Sequence, residues 1–584
     1  MSVFRIINNA DELVEASNDR TARYLIIRTD LKDVPEVKLL PFQNVIGEFD
    51  GRKISFKNGS NGFCLTKGNE LKNLKINVDP DKKAIYQDSS VEKMSTHHLS
   101  RINVTGQISF IVSDNIKKGK IEASFIHVNY ASTEHLTDRP NRYGVDMMQG
   151  AMTVWNKTEE LNSEIEVDIT HFSCGSETKP INGSGLLICG VEEKFGTIRS
   201  DIISCGNIYT SGEIGEGVSD KVAAGIVVGY EVVVKNLTNY GKIYCYGANE
   251  MGLYNWGTVE RWSVTDRIET HGVNSCGFIN AGNIGKITFT HTVETFGIGS
   301  RGFYMFDGVA KDIHFERIVT HGDAAPAIQF NRFISRLSIS NGIETFGNSI
   351  NVLFADVVSI SRADAISIRF GGVVGMLKIT GDVVTNGKEA CSIYDETSIE
   401  KLYVSGSVIA KGEKSMALQI KNAYFSADDV KFISDKYAAV VLSEAKINNS
   451  SNLTANGKNV DIIIDIHSSI DKQMISNDSL KGVFQDNVRI DYMDNVEMEE
   501  NNVNKPQDKQ ITPDDYSAPP YEKNSLNSDE TQVIAGMSGV DKYQTKFNIR
   551  NLNEESFQTS SNSKDKPHPM ACEPPKDIKA KDEP

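Results

Sequence analysis

Three glutamates recur at a fixed place in a repeated phrase, with a spacing that could bring their carboxylates side by side. Glu269, Glu294 and Glu344 each stand three residues before the glycine that closes IETHG, VETFG or IETFG. Neighbouring strands lie ~4.8 Å apart, close to the ~5–5.5 Å between the carboxyl groups of retaining glycosidases. Like charges at that distance raise the pKa of one carboxyl group, as a general acid requires. His271 and His321, directly before two closing glycines, complete the predicted catalytic set.

The same positions also fit a structural role. Period-2 alternation turns Ile268 and Thr270 inward and Glu269 and His271 outward. Because the glutamates are copied with the repeat, they are also typical of a surface ladder balanced by nearby cations. The cations considered are Arg267, Arg301 and Arg317. The inward column is interpreted as a structural hydroxyl ladder, comprising Cys245, Thr270, Thr295, Thr320, Thr345 and Thr385.

A second candidate surface follows from tyrosines placed seven residues after a repeat glycine. Aromatic rings on an exposed sheet stack against sugar faces, and Asn or Asp side chains bond sugar hydroxyls. The predicted ligand-binding set is Tyr254, Asn255, Trp256, Tyr304, Tyr394 and Asp395. Trp256, near a turn, is expected to be exposed, and Trp262 is expected in the core. The alternative is that tyrosine simply suits a strand surface.

The elements that must position these residues are short strands repeated every 25 residues. The closing glycines are Gly247, Gly272, Gly297, Gly322 and Gly347, and the phrase resumes at Gly387 and Gly412. Apolar residues recur six, fifteen, seventeen and twenty-one positions after each glycine. Three strands per ~25-residue coil, each stacked in parallel on its predecessor, satisfy this pattern. The 40-residue interval before Gly387 predicts an insertion or an extra strand.

The chain divides into three predicted regions. Residues 1–25 are expected to form a helical N-terminal cap, and residues 26–475 the stacked strands. Residues 476–584 hold few apolar side chains and most of the 15 prolines, which predicts a disordered tail. The polar stretch Ser132–Gly150 interrupts the strands and is expected to leave the stack, as functional loops do.

Composition limits the function classes. A formal net charge of −16, with Lys and Arg scattered, disfavours nucleic-acid partners. None of the eight cysteines forms a C-x-x-C pair, so no metal site and no cofactor are predicted, and the cysteines are expected to be buried filler. Neither a conventional signal peptide nor a membrane span is expected. This predicts a cytoplasmic protein, or one exported without such a signal, of unspecified oligomeric state.

The chain resembles the right-handed parallel β-helix proteins of the pectin-lyase-like superfamily, and more narrowly a group of largely uncharacterised bacterial members. The resemblance lies in QGAMTVWN (Gln149–Asn156), YGANEMGLYNWGTVERW (Tyr246–Trp262) and the IETFG units, and covers residues 25–470. It implies an all-β, right-handed, single-stranded parallel β-helix. Enzymes of the superfamily imply polysaccharide lyase or glycosidase chemistry. Their catalytic signatures are absent, because the THG triplets at Thr270 and Thr320 lack flanking paired aspartates.

Three functions therefore remain open. The leading hypothesis is a non-catalytic scaffold that binds a glycan or a protein along one outward sheet. The second is a polysaccharide lyase or glycosidase that uses the carboxylates on the coil face. The third is a translocated bacterial effector, because a long tail bearing Glu554 and Glu555 is similar to substrates of type IV secretion.

Overall fold

The computed structural model is an all-β chain of long parallel sheets, with one α-helix among the residues it describes, and is consistent with a parallel β-helix. It describes residues 3–49, 51–113, 115–159, 162–191, 195–215, 218–354, 357–427, 429–447, 453–458, 461–464, 468–470 and 490–492. These residues belong to one compact unit, Met1–Gly539. The second unit, Val540–Pro584, lies outside the described residues.

Successive strands enter three sheets, here called I, II and III, and pair in parallel within each. Sheet I contains Val37–Lys38, Phe63–Leu65, Lys83–Gln87, Gln107–Val112, Gly150–Asn156, Ser184–Cys189, Lys221–Val228, Glu250–Asn255, Cys276–Asn280, Arg301–Met305, Ile328–Phe330, Ile366–Ile368, Cys391–Asp395, Met416–Lys421, Val440–Ser443, Ile462–Ile464 and Ile490–Tyr492. Sheet II contains Val3–Ile7, Ala22–Ile27, Asn44–Gly47, Val232–Asn239, Thr258–Val264, Asn283–Phe289, Val309–Phe315, Phe333–Ile339, Val373–Ile379, Ser398–Val404, Tyr424–Ala427, Lys446–Ile447 and Ser469–Ile470. Sheet III contains Leu31–Val34, Arg52–Phe56, Ile243–Cys245, Ile268–Thr270, Thr292–Thr295, Arg317–Thr320, Ile343–Thr345, Val383–Thr385, Ser407–Ala410, Lys431–Ser434 and Thr454–Gly457. Five long strands belong to both II and III: Glu70–Asn77, Ser95–Thr105, Lys118–Tyr130, Glu164–Cys174 and Thr197–Thr210.

The N-terminal region combines a strand and a helix. Strand β1 (Val3–Ile7) pairs in parallel with β2 (Ala22–Ile27), so sheet II begins before helix α1 (Ala10–Asn18). The Asn9 side chain accepts the Glu12 N–H at 2.9 Å, and the Glu12 carboxylate accepts the Asn8 N–H at 2.7 Å. This reciprocal capping fixes the start of the helix. Its buried face, which includes Leu13 and Ala16, packs on the core.

The repeat positions stack in register, as the spacing predicts. Ile268 pairs with Val293, and Val293 with Ile318, each 25 residues later. The apolar columns face one continuous core built from all three sheets. The predicted inward residues Leu253, Phe278, Phe303, Ile328 and Ile393 are all 0% exposed, and Trp262 is 1% exposed.

Each repeat glycine after Gly247 is fixed by the glycine one coil earlier. A Cβ on Gly272 would lie 1.9 Å from the carbonyl oxygen of Gly247, and the same contact recurs at Gly297. No side chain fits at that separation, since two coils meet there backbone to backbone. Two residues beyond most of these glycines the backbone is left-handed, with φ of 50° at Asn249 and 56° at Asn274. The glycine and this turn together end sheet III and begin sheet I.

Two segments depart from the stack. The 40-residue interval holds the predicted insertion as an antiparallel pair, Ile350–Phe354 with Val357–Ser361. The excursion, residues 132–149, forms a short antiparallel hairpin of Asn141–Arg142 and Val145–Met147. Ile490–Tyr492, beyond the predicted boundary at 475, pairs with Ile462–Ile464. The rest of the predicted tail lies outside the described residues.

The described part of the chain contains no helix long and apolar enough to cross a membrane. Its seven cysteines are buried, as predicted: Cys64, Cys174, Cys189, Cys205, Cys245, Cys276 and Cys391. Cys572 falls outside the described residues.

Candidate ligand-binding surface

The predicted carboxylates lie on the outer side of sheet III, and the strand register decides which of them are neighbours. Glu269 pairs directly with Glu294, so this pair is adjacent as predicted. Glu294 pairs with Val319, and Val319 with Glu344. Glu344 is therefore separated from the other two by an apolar residue. The three do not form one continuous acidic row.

The Glu269–Glu294 pair shares one cation, and each carboxylate also lies against one of the two predicted histidines. Arg267 Nη1 lies 2.8 Å from Glu269 Oε1 and 3.8 Å from Glu294 Oε2. His321 Nε2 lies 2.8 Å from Glu294 Oε1, and His271 Nε2 lies 3.5 Å from Glu269 Oε2. Both carboxylates therefore have partners, and neither is free to act as the general acid that protonates a leaving group.

Two expectations about these charges are wrong. Glu269, expected on the open surface, is only 9% exposed because Arg267 and His271 cover it. Arg301 does not balance the glutamates, since it lies in sheet I and donates from Nε to Gln329 Oε1 at 2.8 Å. Arg317 does pair with Glu344, at 2.7 Å between Nη2 and Oε2.

Beside the carboxylates, five aromatic side chains form what we call the ring row: Tyr246, His271, Phe296, His321 and Phe346. Successive ring centroids lie 5.3, 4.8, 4.6 and 5.0 Å apart, with interplanar angles of 19°, 3°, 2° and 2°. Each ring belongs to the residue directly before a repeat glycine, so the coil spacing of ~4.8 Å sets the stacking distance. The 25-residue repeat thus builds a continuous aromatic stack.

The ring row presents edges to solvent, because each ring covers the faces of its neighbours. Phe296 is 38% exposed and Phe346 is 44% exposed, which is large for phenylalanine. Tyr244 extends the aromatic area, with its ring centroid 6.5 Å from that of His271. Burial beside Glu269 raises the pKa of Tyr244 to about 12, which keeps its hydroxyl protonated. A contiguous aromatic strip of this kind, flanked by ion pairs, is typical of an interaction surface.

The second predicted surface is not exposed. Tyr254, Tyr304 and Tyr394 are 8%, 1% and 4% exposed, so the expectation of an open tyrosine sheet is wrong. The Arg301 guanidinium lies 5.0 Å from the Tyr304 ring centroid. Arg362, which directly follows the inserted hairpin, lies 4.0 Å from that of Tyr394. These two cations cover the Tyr304 and Tyr394 rings on the outer side of sheet I.

Trp256 is also buried, at 3% exposure, contrary to expectation. Arg142 Nη1, from the excursion, donates to the Trp256 carbonyl oxygen at 3.0 Å. The Tyr143 hydroxyl donates to Asp307 Oδ2 at 2.8 Å, and its ring meets Phe306 edge-on at 5.2 Å. The excursion therefore folds back onto sheet I beside Trp256, whose indole stacks on the Tyr230 ring with centroids 6.0 Å apart.

The two polar members of the predicted ligand-binding set are internal. Asn255 Nδ2 donates to Asn280 Oδ1 at 2.8 Å, and both side chains are 0% exposed. Asp395 is also 0% exposed, and burial raises its pKa to about 7, although the Thr397 N–H donates to Oδ1 at 3.0 Å. These side chains stabilise the coil corners and are closed to a ligand.

The inward threonine column is fully buried, as predicted, but its hydroxyls do not bond to one another. Thr270 Oγ1 accepts from Ser275 Oγ at 2.7 Å, and Thr320 Oγ1 donates to the Ala325 carbonyl oxygen at 2.8 Å. Thr385 Oγ1 lies 2.9 Å from Ser392 Oγ, and the hydroxyls of Thr295 and Thr345 have no hydrogen-bond partner among the described residues. The column is structural.

Two features of this region were missed by sequence reasoning. Tyr246 was not assigned to the ring row, although the dipeptides YG, HG, FG, HG and FG mark every member. Glu250, three residues after a repeat glycine, was overlooked as a buried acid. Its signal was a charged residue where Ser275 and Ser300 stand in later coils.

No cluster of metal-ligating side chains occurs among the residues that the structure describes. Comparison with protein-family models, with curated proteins and with solved structures found no match. The physical character of the ring row is thus the basis for any functional assignment.

Proposed function

We propose that this chain is a non-catalytic scaffold, a right-handed, single-stranded parallel β-helix of the pectin-lyase-like kind with three strands per ~25-residue coil, which binds a protein or a glycan along the outer side of sheet III. The observation that carries the proposal is the exposed ring row. Five stacked rings on five successive coils form a rigid aromatic strip that the interior does not require. Rigid aromatic side chains bury area at low entropic cost on binding.

The geometry favours a protein ligand over a glycan. Sugars stack on ring faces, and the faces in this row are occupied by neighbouring rings at 4.6–5.3 Å. The exposed edges suit apolar side chains of a partner. The ion pairs of Arg267 and Arg317 beside the row supply the polar rim that protein interfaces require.

The experiment compares the folded parent with the double variant Phe296→Ser/Phe346→Ser in a pull-down and on a glycan array. Phe333→Ser is the matched control, because Phe333 is 46% exposed on sheet II, similar to Phe346 at 44%. We expect a partner that the double variant loses and the control retains. A partner bound equally by all three proteins, or no partner in either assay, would count against the proposal.

Catalysis is the competing outcome. Glu294→Gln is assayed beside the parent on uronate and neutral polysaccharides. The contacts of Glu269 and Glu294 with Arg267 and the histidines lead us to expect no cleavage. Cleavage by the parent that Glu294→Gln abolishes would replace the scaffold with a polysaccharide-cleaving enzyme.

A further inference from the structure

Sheet II has an open edge at its first strand. β1 pairs with β2 along one side, and no other strand among the described residues pairs with the opposite side. An edge strand directs part of its N–H and C=O groups away from its single neighbour, which makes it a template for one more strand. α1 closes the core with Leu13 and Ala16, while Phe4, Arg5 and Ile6 stay exposed.

β1 has little of the usual protection of a sheet edge: its one charged side chain, Arg5, is paired with Asp19, and it has no proline. Natural edges carry lysine, proline or inward charges, whereas this strand reads VFRII. Phe4 is 64% exposed and Ile6 is 47% exposed. The Phe4 ring stacks on Tyr24 of β2 at 4.8 Å and 17°, so the outer side of sheet II begins with an aromatic pair. An added strand would continue this pair with a further apolar side chain.

β1 also borders an acidic pocket that it forms with α1. Glu12, Glu15 and Asp19 line this pocket, with Arg5 as the basic residue. Arg5 is committed to Asp19, with Nη2 2.7 Å from Oδ2. Glu12 caps the helix, and no ion pair to Glu15 forms in the described part of the chain. The pocket therefore carries uncompensated negative charge beside an open edge.

We propose that β1 is a docking edge for an extended basic segment of a partner protein, which adds a strand to sheet II. Alternate side chains of the segment fall on opposite sides. Apolar ones extend the Phe4 and Ile6 side, and Lys or Arg side chains reach Glu15 in the pocket. A second copy of this chain fits less well, because pairing two β1 edges brings two acidic pockets together. This docking edge is separate from the ring row.

The experiment measures binding of labelled hexapeptides to the full chain by fluorescence anisotropy. The probe alternates valine and lysine, and its counterpart alternates valine and glutamate. We expect the lysine peptide to bind at least tenfold more tightly, because it places cations at the acidic pocket. A lysine peptide N-methylated at alternate residues should lose binding at least tenfold, since strand addition needs its N–H groups.

Variants of the chain locate the site. Glu15→Lys should weaken the lysine peptide at least tenfold, and Phe4→Ser should weaken it as well. Glu260→Lys on sheet II is the matched charge control, and it and Phe296→Ser should leave binding unchanged. Equal binding of the lysine and glutamate peptides, or binding unaffected by N-methylation, would overturn the proposal. So would self-association that Phe4→Ser abolishes without any peptide binding, because it would assign the edge to a second copy.

Discussion

Glu250 shows how one residue can depart from a repeated column without disrupting it. In the next two coils the position holds serine, and Ser300 Oγ donates to the Gly272 carbonyl oxygen at 2.9 Å. Glu250 is 0% exposed, and its Oε2 accepts the Gly247 N–H at 2.7 Å. Its Oε1 has no hydrogen-bond partner among the described residues. Burial raises the pKa of this carboxyl group from 4.5 to about 7.

The raised pKa predicts a specific pH dependence of stability. The folded chain holds this proton more tightly than the unfolded chain, so the stabilisation is present below the unfolded pKa and is lost as pH rises to about 7. Glu250→Gln keeps the shape without titrating. We expect the variant to be within about 1 kcal/mol of the parent at pH 5 and to be more stable than the parent at pH 8, by up to about 3 kcal/mol.

Urea unfolding at both pH values measures this difference. Glu260→Gln, at an exposed position, is the control and should change neither value. A stability change in Glu250→Gln that is the same at pH 5 and pH 8 would show that the carboxyl group does not titrate in this range.

The repeat glycines predict a steric effect of a single methyl group. In Gly297→Ala the added Cβ would lie 1.9 Å from the Gly272 carbonyl oxygen, so two coils must separate locally. We expect a loss of about 1–3 kcal/mol in the free energy of unfolding, as for overpacked cores. In Gly215→Ala the nearest heavy atom is Val218 Cγ2 at 3.7 Å, and little change is expected in urea unfolding. Similar losses in both variants would contradict the steric explanation.

At the scale of elements, the excursion decides what sheet I exposes. It leaves the stack after residue 131 and returns over strands more than 100 residues later, where Arg142 and Tyr143 contact Trp256 and Asp307. A face that alternation assigns to solvent is thereby closed. Trp256 becomes part of a packed interface between a loop and a sheet, whereas Tyr304 and Tyr394 lie against Arg301 and Arg362.

The excursion predicts the environment of the tryptophans. Trp155, Trp256 and Trp262 are 5%, 3% and 1% exposed. The double variant Arg142→Ala/Tyr143→Ala removes the hydrogen bonds that hold the excursion to the Trp256 carbonyl oxygen and to Asp307. We expect its fluorescence to shift to longer wavelength and acrylamide quenching to increase. Arg23→Ala, a control at an exposed arginine of sheet II, should leave the emission wavelength and the quenching unchanged. If the double variant also leaves them unchanged, the excursion does not shield the indole.

The sequence predicted the stacked strands because one spacing served three apolar columns at once. Phe278 and Phe303, for example, were placed in one column and stack at 5.3 Å. It did not predict the burial of Tyr254 or Tyr394. Alternation tells which side of a sheet a residue faces, but not what lies over it. Arg142, which lies beside Trp256, and Arg362, which lies over the Tyr394 ring, come from irregular segments outside the period. The adjacency of Glu269 and Glu294 was predictable from register, but their shared Arg267 depends on side-chain conformation.

At the scale of the whole molecule, stability is distributed along the stack, because each coil contacts only its neighbours. Deletion of residues 273–297 removes one repeat and leaves Gly322 to meet Gly272 in the same register. We expect this protein to fold and to unfold cooperatively, with a lower free energy of unfolding. Deletion of residues 273–284 places strands of one sheet over another and should give aggregated protein.

Circular dichroism and urea unfolding compare the two deletions. Retention of strand signal by the 25-residue deletion and its loss in the shorter one would support the stacked register. If both deletions fold equally well, the 25-residue register does not determine the packing.

The buried cysteines give the stack a built-in set of chemical reporters. Thiols at Cys64, Cys174, Cys245 and Cys391 lie in coils spread along the array, and all are shielded from solvent. A thiol reagent can modify each one only when its own coil opens. Labelling rates resolved by mass spectrometry would therefore record the order in which the coils separate during unfolding, without any introduced probe.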